Sequence, residues 1–233
     1  MMEAADSSAP EARPVSEPDD KPPGLTKLVS VTPDAEKTIL YCARVSSDQS
    51  NEDDKLIGYL IRNNHWSPFE LASMTVEINT SRAIAPQILR HRSFSFQEFS
   101  QRYAVAGGTV KYRARRQAVK NRQSSTDDLP AADQHWFLQA QAYIENEATR
   151  LYREALEREI AKESARFLLP AATETKLYMS GTVRSWIHYL QLRTDEHTQA
   201  EHREIALEIK ERIFYWQFPA ISMALGWRGT TSV

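Results

Sequence analysis

The chain has 233 residues, with 29 Lys plus Arg against 31 Asp plus Glu and a formal net charge of −2, a balance that excludes binding to polyelectrolytes through bulk charge. Its single cysteine, Cys42, excludes an internal disulfide or a CxxC pair and points to a reducing compartment, the cytosol. No window approaches the roughly 20 apolar residues that cross a bilayer, and no basic start with an apolar run marks an export signal, so a cytoplasmic protein with no membrane partner is expected.

Residues 1–24 are rich in Pro, Ser, Ala and acidic residues and read as a disordered tail. Residues 25–233 then form one domain, long enough to bury most of its surface without a metal or disulfide. Leu28 to Val31 reads as a strand, and Thr32-Pro33 predicts a helix through Arg44, with Thr as cap and Pro at the first helical position. A second helix starts near Ser50, carries Leu56, Ile57, Leu60 and Ile61 on one face, and stops at Asn63-Asn64. Met74, Val76 and Ile78 alternate with polar residues, the period of a half-buried strand. Arg82 to His91 predicts a helix with Pro86 as an irregularity, and Gly107-Gly108 a turn between two strands. The strongest helical signal spans Asp133 to Leu169, with Trp136, Ala140, Tyr143, Ile144, Leu151, Tyr152, Ala155 and Ile160 at three- and four-residue spacing, until Pro170 ends it. A strand at Lys176 to Met179 precedes Gly181, and helices follow over Thr182 to Thr194 and Asp195 to Trp216. The fold class is α+β: a helix-rich single domain with a small mixed or antiparallel sheet.

Absences narrow the chemistry first. There is no GxGxxG after a strand and no GxxxxGK[ST], so a nucleotide cofactor must be held by side chains. The six histidines form no HExxH, and His197 and His202 are five apart, off one helix face, so no metal is expected.

Between Gln87 and Tyr103, the residues Gln87, Arg90, His91, Arg92, Glu98, Ser100 and Arg102 crowd together among aromatic positions. Guanidinium forks suit phosphates and carboxylates, so several in one place imply an anionic ligand. By residue type alone the same cluster also reads as a solvated surface or a salt-bridge network with Glu98, with Phe94, Phe96 and Phe99 as core. A second cluster holds Arg166, Arg184, His188, Arg193, His197 and Gln199. Helical geometry puts Arg184 and His188 on one face and Arg193 and His197 on another, so one helix would serve two pockets, or simply carry a solvated stripe. Lys111 to Arg122 holds six basic residues in twelve, which admits a nucleic-acid-binding module as the alternative but more often marks a solvated face. Cys42 fits inside the first helix better than it fits a nucleophile.

Together these clusters resemble the flavin-dependent thymidylate synthases. Their signature, RHRxxSxxxxS with Glu two before the final Ser and Arg-Tyr shortly after, reads here as Arg90, His91, Arg92, Ser95, Glu98, Ser100, Arg102 and Tyr103. ARVS at Ala43 to Ser46, HWSPFE at His65 to Glu70, ARFLLPAATET at Ala165 to Thr175 and RSWIHYLQLRTDEHTQAE at Arg184 to Glu201 also look like family segments. The resemblance implies a homotetramer with FAD at subunit junctions that methylates dUMP, with 5,10-methylenetetrahydrofolate as carbon donor and NADPH as reductant. It places FAD against Ser46, His65, Ser67, Arg90, His91, Arg92, Glu98, Thr182, Val183, Arg184 and His188. It places dUMP against Gln87, Arg90, Glu98, Ser100, Gln101, Arg102, Arg166 and Arg193. Arg193 matches the residue thought to favour ionisation of the uracil at N3, and Thr182 stands where the family usually has Asn. A flavoprotein of this fold without methylation is the remaining alternative.

Overall fold

The computed structural model describes residues 25–46 and 53–230; the tail assigned to residues 1–24 and the helix start at Ser50 lie outside them. A four-stranded antiparallel sheet, in the order β1-β2-β6-β3, is the frame: β1 (Thr26–Val31), β2 (Ser73–Ser81), β6 (Glu174–Thr182) and β3 (Ser95–Glu98). A separate two-stranded ribbon joins β4 (Arg116–Gln117) to β5 (Ser125–Thr126).

The alternation in β2 does what its period predicts. Met74, Val76 and Ile78 are buried, and Val76 and Ile78 face Met179 and Leu177 of β6. The opposite face is polar, with Thr75 Oγ1 donating to Ser180 Oγ at 2.9 Å and a Lys176–Glu77 ion pair at 2.9 Å. Against the apolar face pack α1 (Ala35–Ala43), α2 (Asp53–Arg62), α6 (Val183–Arg193), α7 (Ala200–Glu208) and α9 (Pro219–Ala224), joined in one core around Ile39, Ile57, Trp186, Ile205 and Ile221. The α7 rod continues through a π-helical stretch, Ile209–Phe214, into α8 (Tyr215–Gln217). Trp186 is fully buried, and its indole N–H donates to Met74 O at 2.9 Å, which fixes α6 on the sheet.

Several boundaries differ from the sequence reading, each for a local reason. Thr32 does not cap α1. Its backbone and hydroxyl bond to Ser73, extending the β1–β2 pairing, and Asp34 at φ 47° starts the helix. The predicted Arg82–His91 helix shortens to α3 (Ala85–Leu89): Pro86 lies in its first turn, where no N–H is needed, and Arg82 N is held by Thr173 O. Gly107-Gly108 is not a turn joining two strands directly, because an isolated bridge, Thr109 to Thr173, follows it before the separate β4–β5 ribbon. The long helix is α4 (Ala131–Glu157), broken by Glu159 at φ 62°, and is followed by α5 (Lys162–Ala165) and a 3-10 turn at Arg166–Leu168. Much of its apolar stripe is uncovered, with Trp136 68% and Tyr143 73% exposed. The predicted helix from Asp195 starts only at Ala200, because Asp195 Oδ1 accepts the backbone N–H of His197 in a turn.

The end of α2 keeps to expectation. Asn64 takes φ 57°, a conformation that Asn tolerates, and the Asn63 side chain donates to Tyr59 O at 2.8 Å.

Candidate active site

Three groups of side chains converge on the edges of this frame. The first surrounds the start of α6. Thr182 caps the helix by accepting from Ser185 N at 3.3 Å, a task Asn performs equally well, so the exchange of Asn for Thr keeps the cap. Val183 is fully buried and donates its N–H to Ala72 O. One turn of α6 presents Arg184 and His188 on one side, in a cleft of about 560 Å³ with Trp66, Glu70 and Ser93. An adjoining cleft of about 560 Å³ shares Asn64, Trp66 and Arg184 and adds His65 and Ser67. Arg184 Nη1 is tethered to Glu70 Oε1. Ser46 ends a 3-10 turn, and its side chain lies outside the described residues.

The second group sits at the other end of α6. Arg193, the last residue of the helix, donates from Nε to His91 Nε2 at 2.8 Å. An imidazole nitrogen that accepts must be unprotonated, and the surroundings agree: burial, then the charges of Arg193 and His188, push His91 down to about 4. Behind it the Tyr189 ring packs edge-on at 4.8 Å, and the Tyr189 hydroxyl bonds His202 Nε2 at 3.1 Å. Tyr189 and His202 are fully buried. Burial, then the Arg193 charge and His91, bring His202 down to about 3. Among the described residues no carboxylate lies within ion-pair distance of Arg193, Arg90 or Arg92. His197, expected beside Arg193 on one helix face, lies past the end of α6 and pairs with Asp195 at 2.9 Å. Gln87 Nε2 donates to Gln199 Oε1 at 2.6 Å.

The third group follows β3. Ser100 and Gln101 open a turn, and Arg102 pairs with Glu163 at 3.4 Å while Arg166 Nε bonds Glu163 O at 3.2 Å. Gln101 is 6% exposed, and its buried amide nitrogen has no partner. A buried amide donor with nothing to donate to is costly unless a further group reaches it. Glu98 turns from the exposed arginines: its Oε1 accepts from Arg82 Nη1 at 2.6 Å and Thr175 Oγ1 at 2.9 Å. The salt bridge admitted for Glu98 thus exists, with Arg82 and not with the RHR triplet.

Phe94 locks this motif to the frame. Its ring meets Trp186 edge-on at 4.9 Å, and Gly181 of β6 leaves the space: a Cβ there would overlap the Phe94 ring. Phe94 is buried, whereas Phe96 and Phe99 are only partly so.

The basic stretch has a different character. Lys111 pairs with Glu145, Arg113 with Asp127 at 2.8 Å, Arg115 with Glu201, and Arg116 with Asp128 at 3.3 Å. Four of its six cations are thereby neutralised within the fold, which disfavours the nucleic-acid reading. No sequence pattern singled out Arg82, Glu70, Tyr189, His202 or the Arg115–Glu201 pair, because their partners are distant in the chain.

A fold that leaves Arg90, Arg92 and Arg193 without carboxylate partners among the described residues and opens clefts beside Arg184 and His188 at the start of α6 offers a set of donors suited to anionic ligands. The family model described as thymidylate synthase complementing protein matches residues 27–220. The chain belongs to this family, that of the flavin-dependent thymidylate synthases. It is 57% identical over 194 residues to a flavin-dependent thymidylate synthase of Synechocystis sp., spanning 82% of this chain and 90% of that one. It is 50% identical over 213 residues to a probable flavin-dependent thymidylate synthase of Paramecium bursaria Chlorella virus 1, spanning 86% and 98%. Among solved structures, a UMP/dUMP methylase PolB from Streptomyces cacaoi bound with 5-Br UMP superposes with a TM-score of 0.78 at 27% identity, covering 86% of this chain and 93% of that one.

Proposed function

We propose that this protein methylates dUMP to dTMP reductively, using FAD, with 5,10-methylenetetrahydrofolate as carbon donor and NADPH as reductant. The observation that carries the reading is the set of cations without carboxylate partners within the family motif and at the end of α6, Arg90, Arg92 and Arg193, while Arg82, Arg113, Arg115 and Arg184 are paired within the fold. Unpaired guanidiniums, together with the donor-lined clefts at the start of α6, fit the pyrophosphate of FAD and the phosphate of dUMP.

In this reading Arg90, His91, Arg92, Arg184, His188, Ser67 and His65 hold FAD, with Ser46, Glu98, Thr182 and Val183 close to it. When bound and reduced, FAD supplies the hydride. Gln87, Ser100, Gln101, Arg102 and Arg166 hold dUMP together with Arg90, Glu98 and Arg193. Arg193 is the catalytic residue: its guanidinium, fixed by a neutral imidazole instead of an anion, keeps its full charge for the negative charge that develops on the uracil ring. A carboxylate partner would cancel that charge; His91 orients it without doing so. Cys42 takes no part.

The three groups occupy separate edges of one chain, and the exposed face of α4 carries Trp136, Tyr143 and Ile144. Both features support a homotetramer in which subunits complete each other's sites. We place the protein in the cytosol; no helix among the described residues is long and apolar enough to cross a membrane. Residues 25–233 act as one catalytic domain behind the tail.

The test is direct. Purified protein should be yellow, bind dUMP, and release tritium from 5-labelled dUMP when the folate and NADPH are supplied. A yellow protein that releases none would be a flavoprotein of this fold without methylation, and a colourless one that binds no dUMP would overturn the assignment.

A further inference from the structure

The third group of side chains holds a cation that no sequence pattern singled out. Lys162, the first residue of α5, donates from Nζ to Tyr103 O at 2.9 Å and so ties the turn that follows β3 to α5. Beside it, Arg102 Nε forms an ion pair with the Glu163 carboxylate at 3.4 Å, and Arg166 Nε donates to Glu163 O at 3.2 Å. Arg102 and Arg166 are distant in the chain and meet at this one residue. Lys162 and Arg166 stand one helical turn apart, the spacing at which side chains are neighbours.

Charge does not balance in this group. Lys162, Arg102 and Arg166 flank a single acid, Glu163, whose carboxylate pairs with Arg102, and Lys162 has no carboxylate partner among the described residues. Like charges one turn apart repel, so the group gains when an anion joins it. Donors are also left over. Lys162 uses one N–H of its ammonium, and Arg166 uses its Nε and leaves both Nη groups without a hydrogen bond among the described residues. A phosphate, small, doubly charged and rich in acceptor oxygens, matches what the group lacks. In the proposed function Arg193 takes the uracil ring, and Ser100, Gln101, Arg102 and Arg166 also hold dUMP; the part of dUMP that suits these cations is its phosphate.

We propose that Lys162 completes the grip on the substrate phosphate: its bond to Tyr103 O fixes the Ser100–Tyr103 turn against α5, so that Arg102 and Arg166 close on one phosphate. This rests on the reading that dUMP lies against Ser100, Arg102 and Arg166. Lys162 is a positioning residue that acts through the turn, and its charge adds to the attraction for the phosphate. The Lys162–Tyr103 bond is exposed, so it contributes little to the stability of the fold, and a chain without it should fold.

The experiment measures binding of dUMP and of deoxyuridine, which lacks only the phosphate, by calorimetry on the full chain loaded with FAD. Lys162→Met removes the charge and keeps most of the length of the side chain. It is expected to raise the Kd of dUMP about tenfold, the equivalent of one charge-assisted hydrogen bond. The Kd of deoxyuridine and the bound flavin should stay as they were, and KM for dUMP should rise with kcat retained. Lys162→Arg, which keeps the charge, should restore most of the affinity. In an Arg166→Ala background the Lys162→Met change should cost less than in the unaltered chain, because both side chains serve one phosphate. This cycle decides the matter where deoxyuridine binds too weakly to titrate. An unchanged dUMP affinity, a loss shared equally by deoxyuridine, or additive effects with Arg166→Ala overturns the proposal. Tight dUMP binding by the unaltered chain would keep the underlying reading intact in that event, and its absence would sink both.

Discussion

Two stretches that carry several arginines follow one another along this chain, Arg90 to Tyr103 and Lys111 to Arg122. Folding treats most of their cations differently. In the second, Lys111, Arg113, Arg115 and Arg116 each find a carboxylate from β5's flank, α4 or α7. In the first, Arg102 pairs with Glu163, but Arg90 and Arg92 have no carboxylate partner among the described residues, and Arg193, brought to the same motif by α6, is held by a neutral imidazole. A cation already neutralised adds little to ligand binding, because a new anion must first displace the old one. A cation left unpaired is destabilised by its like-charged neighbours, a strain that an anionic ligand relieves.

The largest effect that would break this contrast is on turnover. Arg193→Ala should lower tritium release from 5-labelled dUMP by about 100-fold or more, the usual loss when one charge-stabilising donor is removed. Near-normal turnover would mean that the guanidinium is not aimed at the reacting ring. Next, Arg90→Ala combined with Arg92→Ala should weaken FAD roughly 10- to 100-fold, as expected for lost charge-assisted bonds. A flavin titration reads this directly, and wild-type affinity should itself decline with added salt.

The neutral partners of the first region give it a pH signature. His91 and His202 are held near 4 and 3, below the ordinary 6.5. Between those values the unfolded chain binds more protons than the folded one, so stability rises with pH and is lost as pH falls from about 6.5 toward 4. Denaturant unfolding should lose about 1–2 kcal/mol from His202 alone between roughly pH 7 and pH 5. The half-buried His91 adds less after solvent screening. His202→Gln should flatten the slope; an unaltered slope would show that His202 does not titrate as described.

The smallest effect belongs to the second region. Arg113→Ala and Arg116→Ala break exposed pairs, 62% and 49% exposed on the arginine side, and each should cost under about 1 kcal/mol with turnover unchanged. Salt-sensitive oligonucleotide binding that these changes abolish would restore the nucleic-acid reading.

How far the fold was legible varies with how local its cause is. The β2 alternation and the Asn63-Asn64 stop rest on neighbours in sequence, and both stand in the structure. Thr32 was misread as a cap because its hydroxyl found Ser73 across the sheet, and the stop at Glu159 carries no Gly or Pro to announce it. In the candidate site, the RHR motif marked the arginines that keep no carboxylate partner among the described residues. Its neutral support, Tyr189 with His202, had no signal, since an aromatic and a histidine on helices look like ordinary core.

By itself the sequence determined the family, the strand and helix periods, and the residue types from which an anion site could be made, because each of these is a matter of spacing along the chain. Only the tertiary structure decided which cations keep their charge. Pairing depends on which carboxylate a side chain meets across α4, α7 and the sheet, and residues such as Arg115 and Glu201 become neighbours only when the chain has closed.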